Sequence, residues 1–389
     1  MTIIFADAPP LRGIRQRVQQ LAIRFAKRLR DAGGRVYYFD EPGNFVTLFL
    51  SPEKSVSNLW SWTRSIRTDD PDGIRHFIPP AGLPFGYHNE GINRWNHFWY
   101  GIALGSRFEK GDGPVVLIAC NVLGLGWVGR LKEDFVIYDC ADEISEFRQA
   151  GLNRKAVLAQ EKKLIEKADA VVVTSQMLFE SKSKIASRAV IIRNAAEIEH
   201  FNRALKSIER PKDIAYLKKP IVGFTGYLAD WLDWPLIEAV VREGTEFDWV
   251  FIGPTTHNLS GLQALPNFHY LKKKPYEILP DYLANFSCAH IPFARTKLTL
   301  NVNPVKLYEY LASGLPVVAT PIPEIEAFGD IVALADNPRD YLNAVRMSVG
   351  EDSHEKRCAR AERAAGESWD ARLDDYISLI NELIGKTQE

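Results

Sequence analysis

Apolar positions fall along the chain in two repeating patterns. The short runs TIIFAD, RVYYFD, VVLIAC (115–120), FVIYD (135–139), AVVVTS (170–175) and AVIIRN (189–194) show no alternation, as expected of parallel strands covered on both faces. Between the first two, Val18, Leu21, Ala22, Phe25 and Leu29 recur at helical spacing, and Gly33 and Gly34 stop the helix. The chain therefore opens as a βαβ unit. Another helix is predicted from Arg154 to Ala168. A second series of runs, PIVGFTG, WVFIGP, FHYLK, CAHIPF and PVVAT, has helical segments between its members, and 355–384 reads as helix. Ala195–Pro220, with many charges, two prolines and few strand formers, separates the two series as a linker.

A length of 389 residues exceeds what one core usually organises, so each series is expected to form its own domain. With 46% hydrophobic and 25% charged residues the composition is that of a globular protein, and a net charge of -1 argues against a generally basic nucleic-acid binder. Seven basic residues and no acid lie between Arg12 and Arg30, a local bias suited to an anionic membrane surface. Cys120, Cys140, Cys288 and Cys358 have no metal-ligand spacing and fit a reducing compartment. MTIIFADAPP does not resemble an export signal, and Pro114–Gly129, the longest uncharged stretch, is shorter than the ~20 residues of a spanning helix. A cytoplasmic protein, peripheral at most on the inner membrane face, is expected. The aromatics of 41–110, among them Trp60, Trp62, Phe85, Trp95, Phe98, Trp99 and Tyr100, read mainly as core and loop packing, with an acceptor- or membrane-facing surface as the alternative.

Gly124, Gly126 and Gly129 match G-x-G-x-x-G, but Asp139 ends the next strand only 15 residues after Gly124, too few for the dinucleotide unit. A structural turn is the better reading. The more informative segment is Asn301–Thr320, NVNPVKLYEYLASGLPVVAT. Asn303 suits an N-cap, Pro304 the first helical position, and Gly314 with Pro316 the end, which would put Lys306 third in the helix. A cation opposes the helix dipole there unless an anion sits at that end. Glu309, one turn on, could accept from ribose hydroxyls. An ordinary exposed Lys–Glu pair is the alternative.

The pattern N-P-x-K-x-x-E-Y-L-A-x-G-x-P-V-V resembles the donor-binding motif of GT-B glycosyltransferases of the group-one, or family-four-like, type that build bacterial envelope polysaccharides. Val190–Asn194 is similar to the strand preceding the family's second domain, and Gly223-Phe-Thr-Gly226-Tyr-Leu-Ala-Asp230 to its glycine loop. Tyr138-Asp-Cys-Ala-Asp142-Glu143 resembles the Y-D-x-x-D element of capsule, teichuronic-acid and exopolysaccharide transferases, and Gln16-Arg17 their N-terminal Q-R element. The resemblance implies an α/β fold of two Rossmann-like domains with parallel sheets facing across a cleft: 1–205 for the acceptor, 206–364 for a nucleotide-sugar donor, and a C-terminal helix, about 365–389, packing back on the first. It also implies a UDP-sugar donor and a glycan or polyprenyl-diphosphate-linked acceptor. Donor-binding candidates are then Gly226, Tyr227, Asn303, Lys306, Glu309, Arg295 and Lys297; acceptor-binding candidates are Gly13, Arg15 and Arg17.

Two departures bear on mechanism. Retaining members carry a glutamate eight positions before the ribose-binding one, where this chain has Asn301, and Tyr227–Asp233 lacks the family's basic pair. K-x-x-E resembles the inverting xanthan-type glucuronosyltransferases. Transfer needs positive charge on the leaving diphosphate, which lysine, arginine and helix N-termini can supply with no metal or other cofactor. Asp70-Pro-Asp72 formally matches D-x-D but has no preceding strand. For the general base Asp142 is the first candidate, then Asp139 and Glu143, all at the C-terminal end of a predicted parallel strand. The competing readings are a nucleotide-sugar epimerase of the same plan, a non-catalytic sugar-nucleotide binding module and, more distantly, an NAD-dependent oxidoreductase.

Overall fold

The computed structural model describes residues 1–11, 15–43, 72–105, 108–146, 153–206 and 208–386. It divides into two compact units, Met1–Arg193 with Arg372–Glu389, and Asn194–Ala371. The chain enters the second unit at Asn194, not at the expected 206. Within the expected linker Ile198–Asn202 is helical, and Phe201, Ile214 and Leu217 are buried in the second core. Spacing obscured these residues because they are scattered singly among charges.

The first unit is a seven-stranded sheet of β1 (Thr2–Ala8), β2 (Arg35–Asp40), β3 (Ile74–Phe77), β4 (Val115–Ala119), β5 (Phe135–Cys140), β6 (Ala170–Val173) and β7 (Ala189–Ile191). Its order is β3-β2-β1-β4-β5-β6-β7 and every pair is parallel. The uninterrupted apolar runs are the strands of this sheet, and β1 and β4 are buried along their whole length. Helix α1 (Arg17–Arg30) buries Val18, Leu21, Ala22, Phe25 and Leu29, the stripe its spacing predicts. Its basic side chains are largely engaged within the unit. Arg28 pairs with Asp374 at 2.9 Å, Arg30 donates to the Asp72 carbonyl and Arg24 to the Gln20 carboxamide. Helix α2 (Glu90–Leu104) turns Asn93, Asn96, His97 and Tyr100 inward. The Gly124–Gly129 segment is a short 3-10 turn, Val122–Gly126, with no dinucleotide-type helix behind it.

The second unit is a six-stranded parallel sheet of β8 (Ile221–Thr225), β9 (Asp248–Ile252), β10 (Phe268–Tyr270), β11 (Cys288–Ile291), β12 (Val317–Ala319) and β13 (Val332–Leu334), in the order β10-β9-β8-β11-β12-β13. In both sheets the order reverses beside the first strand, between β1 and β4 and between β8 and β11. The carboxyl ends of the strands at such a reversal are where α/β sheets bind ligands.

In the second core His290 of β11 is fully buried among Phe224, Trp249, Phe251 and Tyr341, and neither ring nitrogen has a hydrogen-bond partner among the described residues. Burial alone lowers its pKa from 6.5 to about 3. The unfolded chain therefore binds a proton that the folded one refuses, and stability falls as pH drops below 6.5 toward 3. The slope of this loss approaches about 1.4 kcal/mol per pH unit. Denaturant titrations from pH 7 to 4 should show this component in the wild type and lose it in His290→Phe; parallel curves for the two proteins would refute it.

Candidate active site

The glycine turn after β8 is shaped by contact with the turn after β9. The Gly226 N–H donates to the Ile252 carbonyl at 2.8 Å, and a Cβ on Gly253 would lie 1.7 Å from the Gly226 oxygen. Gly253 (φ 149°) therefore has no room for a side chain. Tyr227 follows, 41% exposed, its ring 5.3 Å from that of Trp231.

Helix α3 (Val305–Ala312) is pinned against this turn. The Thr225 N–H donates to the Tyr310 hydroxyl at 2.7 Å, and a Cβ placed on Gly226 would be 3.4 Å from the Lys306 Cε. Lys306 thus stands at the glycine turn with Nζ 2.6 Å from Glu309, whose side chain is only 5% exposed. This is not the loose surface pair of the alternative reading. The first N–H groups of a helix have no acceptor inside it, so α3 adds a positive pole beside Lys306.

Asn303 is not the N-cap. Pro304 occupies that position, no side chain caps the helix, and Lys306 is second in it rather than third. The reason lies in the Asn303 carboxamide. Its Oδ1 accepts from the Asn194 N–H at 2.9 Å, and its Nδ2 donates to Tyr308 and Glu324, each at 2.8 Å, while Asn194 Nδ2 donates to the Asn303 carbonyl. Both asparagines are buried. Arg295 and Lys297 follow β11, in a segment whose Ala294 N–H donates to the Trp231 carbonyl of the loop after Gly226. Arg295 pairs with Asp336 at 3.5 Å, and Lys297 is exposed at the start of the short helix Lys297–Leu300.

In the first unit Arg17 is 4% exposed and bound to Asp139, with Nε 3.0 and 3.1 Å from the two carboxylate oxygens. It also donates to the Arg193 carbonyl and the Tyr376 hydroxyl. Burial opposes its charge, but Asp139 and Tyr376 outweigh burial and hold it protonated. Arg17 and Asp139 thus spend their charges on each other. Glu143 is held by Lys182 at 3.0 Å and by Ser145 at 2.8 Å, and Lys182 also binds Glu161. Asp142 is half-buried, and burial raises its carboxyl to about 6, with Arg17 pulling down and Asp139 pushing up. Arg15 is exposed, whereas Gly13 and Asp70 lie outside the described residues.

Three features escaped the sequence reading. Tyr310 was hidden inside a helical motif where aromatics are usually core. Asp7, at the carboxyl end of β1, has φ 51°, is fully buried, and meets His97 Nε2 at 3.1 Å, while Asn121 donates to its carbonyl. A non-glycine residue so constrained at a switch point belongs with the candidate site residues. Asn93, Asn96, His97 and Tyr100 of α2 border a cavity of about 310 Å³ with Glu41 and Tyr87. No local motif links Asp7 to His97, 90 residues away.

Solved structures match these two sheets over almost the whole chain. Sucrose-phosphate synthase from Thermosynechococcus elongatus aligns with TM-score 0.67 and 16% identity over 99% of each chain. A UDP-forming trehalose-phosphate synthase from Burkholderia vietnamiensis gives 0.69 and 10%, over 100% of this chain and 99% of its own. The fold is GT-B. Anabaena HepE in complex with UDP-glucose shares it, with TM-score 0.64 and 14% identity over 98% of this chain and 100% of HepE. No protein-family model matches the chain. A curated relative, named for a glycosyltransferase role in teichuronic acid biosynthesis, is TuaH of Bacillus subtilis (strain 168), 26% identical over 246 residues. The match covers 57% of this chain and 60% of the length of TuaH.

In this GT-B chain the tightest element of the candidate site is the paired turn at Gly226 and Gly253. Gly253→Ala should cost about 1 to 3 kcal/mol by displacing that turn. Gly261→Ala, with nothing nearer than 3.7 Å, should be close to neutral. Equal thermal midpoints for the two variants would show that the close approach is not required.

Proposed function

We propose that the protein is a glycosyltransferase that moves a sugar from a UDP-sugar to a glycan or polyprenyl-diphosphate-linked acceptor in bacterial surface polysaccharide assembly, at the inner face of the cytoplasmic membrane. The observation that carries the reading is Lys306, held against the glycine turn at the switch point of the second sheet and neutralised there by Glu309. UDP or UDP-glucose in the HepE structures and the teichuronic acid role in the name of TuaH point the same way. Both are expectations carried over from those proteins.

In this reading Lys306 swings from Glu309 to the donor diphosphate, the α3 N-terminus and the turn at Gly226 and Tyr227 add N–H donors, and Arg295 or Lys297 supplies further charge. Glu309, released, accepts from ribose hydroxyls. Asn303 positions the helix without touching donor. These groups do the electrostatic work that a metal does elsewhere. Asp142 is the base that takes the acceptor proton, with Arg17 and Asp139 fixing its surroundings and Glu143 in a supporting ion network. Asn301, standing where retaining relatives have glutamate, favours inversion.

Lys306→Ala should weaken UDP binding by about 1.5 to 3 kcal/mol, read by calorimetry on the folded variant. Unchanged UDP affinity would remove Lys306 from the donor site. For Asp142 the sign is fixed by its role: a base must be ionised, so kcat should rise with pH through about 6 and level off above it. Asp142→Asn should bind UDP normally and lose about 10²- to 10⁴-fold in kcat. A near-normal rate in Asp142→Asn would move the role to another carboxylate.

A further inference from the structure

The outward face of α2 is aromatic. Trp95, Phe98, Trp99 and Ile102, at i, i+3, i+4 and i+7, are 53, 44, 48 and 54% exposed. The rings touch one another, with centroids 5.9 Å apart for Trp95 and Trp99 and 5.6 Å for Phe98 and Trp99. Four large apolar side chains on one helical face exceed the scattered exposed hydrophobics of an ordinary soluble surface. The inward face of the same helix borders the cavity with Asn93, Asn96, His97 and Tyr100.

Two arginines, Arg94 and Arg130, border this face. The Arg130 guanidinium lies 5.8 Å from the centre of the Phe98 ring and donates to the Gly126 and Arg94 carbonyls. Burial and the nearby Arg94 both work against its charge. Arg94 is itself exposed, its only recorded acid among the described residues being Glu90 at 4.0 Å, which Lys163 already holds. Tryptophan and phenylalanine bordered by arginine suit the boundary of a bilayer, where the rings sit at headgroup depth and cations meet anionic lipid. No described helix is long and apolar enough to cross a membrane, which leaves contact in the plane of the surface.

We propose that the Trp95–Phe98–Trp99–Ile102 face of α2, with Arg94 and Arg130 at its rim, docks this protein on an anionic lipid bilayer. The proposal rests on the lipid-linked acceptor reading only for its purpose, since it holds the inner face of α2 where a lipid-borne substrate arrives. It moves the membrane contact away from α1, whose arginines are engaged within their own unit. Because every named side chain is exposed, substitution leaves the core intact.

The test is sedimentation of the full chain with phosphatidylcholine vesicles and with vesicles carrying a third phosphatidylglycerol, alongside calorimetry with UDP. The wild type should bind the anionic vesicles, less so in high salt, with a blue shift of tryptophan emission. Trp95→Ser/Trp99→Ser should reduce partitioning by about tenfold or more. Arg94→Gln/Arg130→Gln should reduce binding to anionic vesicles selectively, and both variants should keep wild-type melting temperature and UDP affinity. Wild type that ignores both vesicles overturns the proposal, as does a tryptophan variant that binds as wild type does. Concentration-dependent dimerisation abolished by Trp95→Ser/Trp99→Ser, without vesicle binding, would assign the face to a second copy instead. Failure of UDP binding with vesicle binding intact would sink the donor reading and leave the docking surface standing.

Discussion

The buried carboxamide of Asn303 is the constraint on which the second unit's site depends. It makes three hydrogen bonds, to the Asn194 backbone, Tyr308 and Glu324, with both amide hydrogens used, and so joins the first residue of the unit to α3 and to the segment after β12. A group used in this way cannot also cap a helix. The cap falls to Pro304, the helix begins one residue later than its motif suggests, and the register of α3 follows. Lys306 then lands beside Gly226, and Tyr310 reaches the Thr225 N–H. Losing one partner of such a network leaves several polar atoms unsatisfied at once, so the arrangement is held far more firmly than any single bond would hold it.

The first unit solves a similar problem with charge. Arg17, brought in by α1, neutralises Asp139 at the end of β5, and Lys182 neutralises Glu143 and Glu161. Of the four acids clustered there, Asp142 alone has no side-chain ion-pair partner recorded among the described residues, and its proton affinity is set by burial and by the field of the Arg17–Asp139 pair. A carboxyl raised in this way to about 6 is half-ionised near pH 6 and mostly ionised at neutral pH.

The strands were legible because a sheet covered on both faces demands unbroken apolar runs, which few other structures produce. TIIFAD, VVLIAC, FVIYD and PIVGFTG lie within one or two residues of β1, β4, β5 and β8. Helix α1 was legible for the same reason, at its own period. What sequence could not show is which polar group a side chain finds in space. Asn303 has the composition of a cap, yet Asn194, 109 positions away, claims it. Arg17 reads as a basic face residue until Asp139, 122 positions on, buries it. The expected helical tail splits into His354–Ala364 and Trp369–Lys386 around Gly366, a break with few local markers. The outward aromatics of α2 were read mainly as core because their helix was not recognised, and without its period the two faces could not be told apart.

The central claim is that the glycine turn and Lys306 hold a nucleoside diphosphate. Thermal unfolding of the full chain with UDP, GDP, ADP and CMP at equal concentration tests it directly, because a ligand that binds only the folded state stabilises by RT ln(1 + [L]/Kd). UDP at about a hundred times its dissociation constant should add about 2.7 kcal/mol, a clear rise in melting temperature, with much smaller shifts from the others. A melting temperature indifferent to all four nucleotides, in a protein that unfolds cooperatively, would contradict the account.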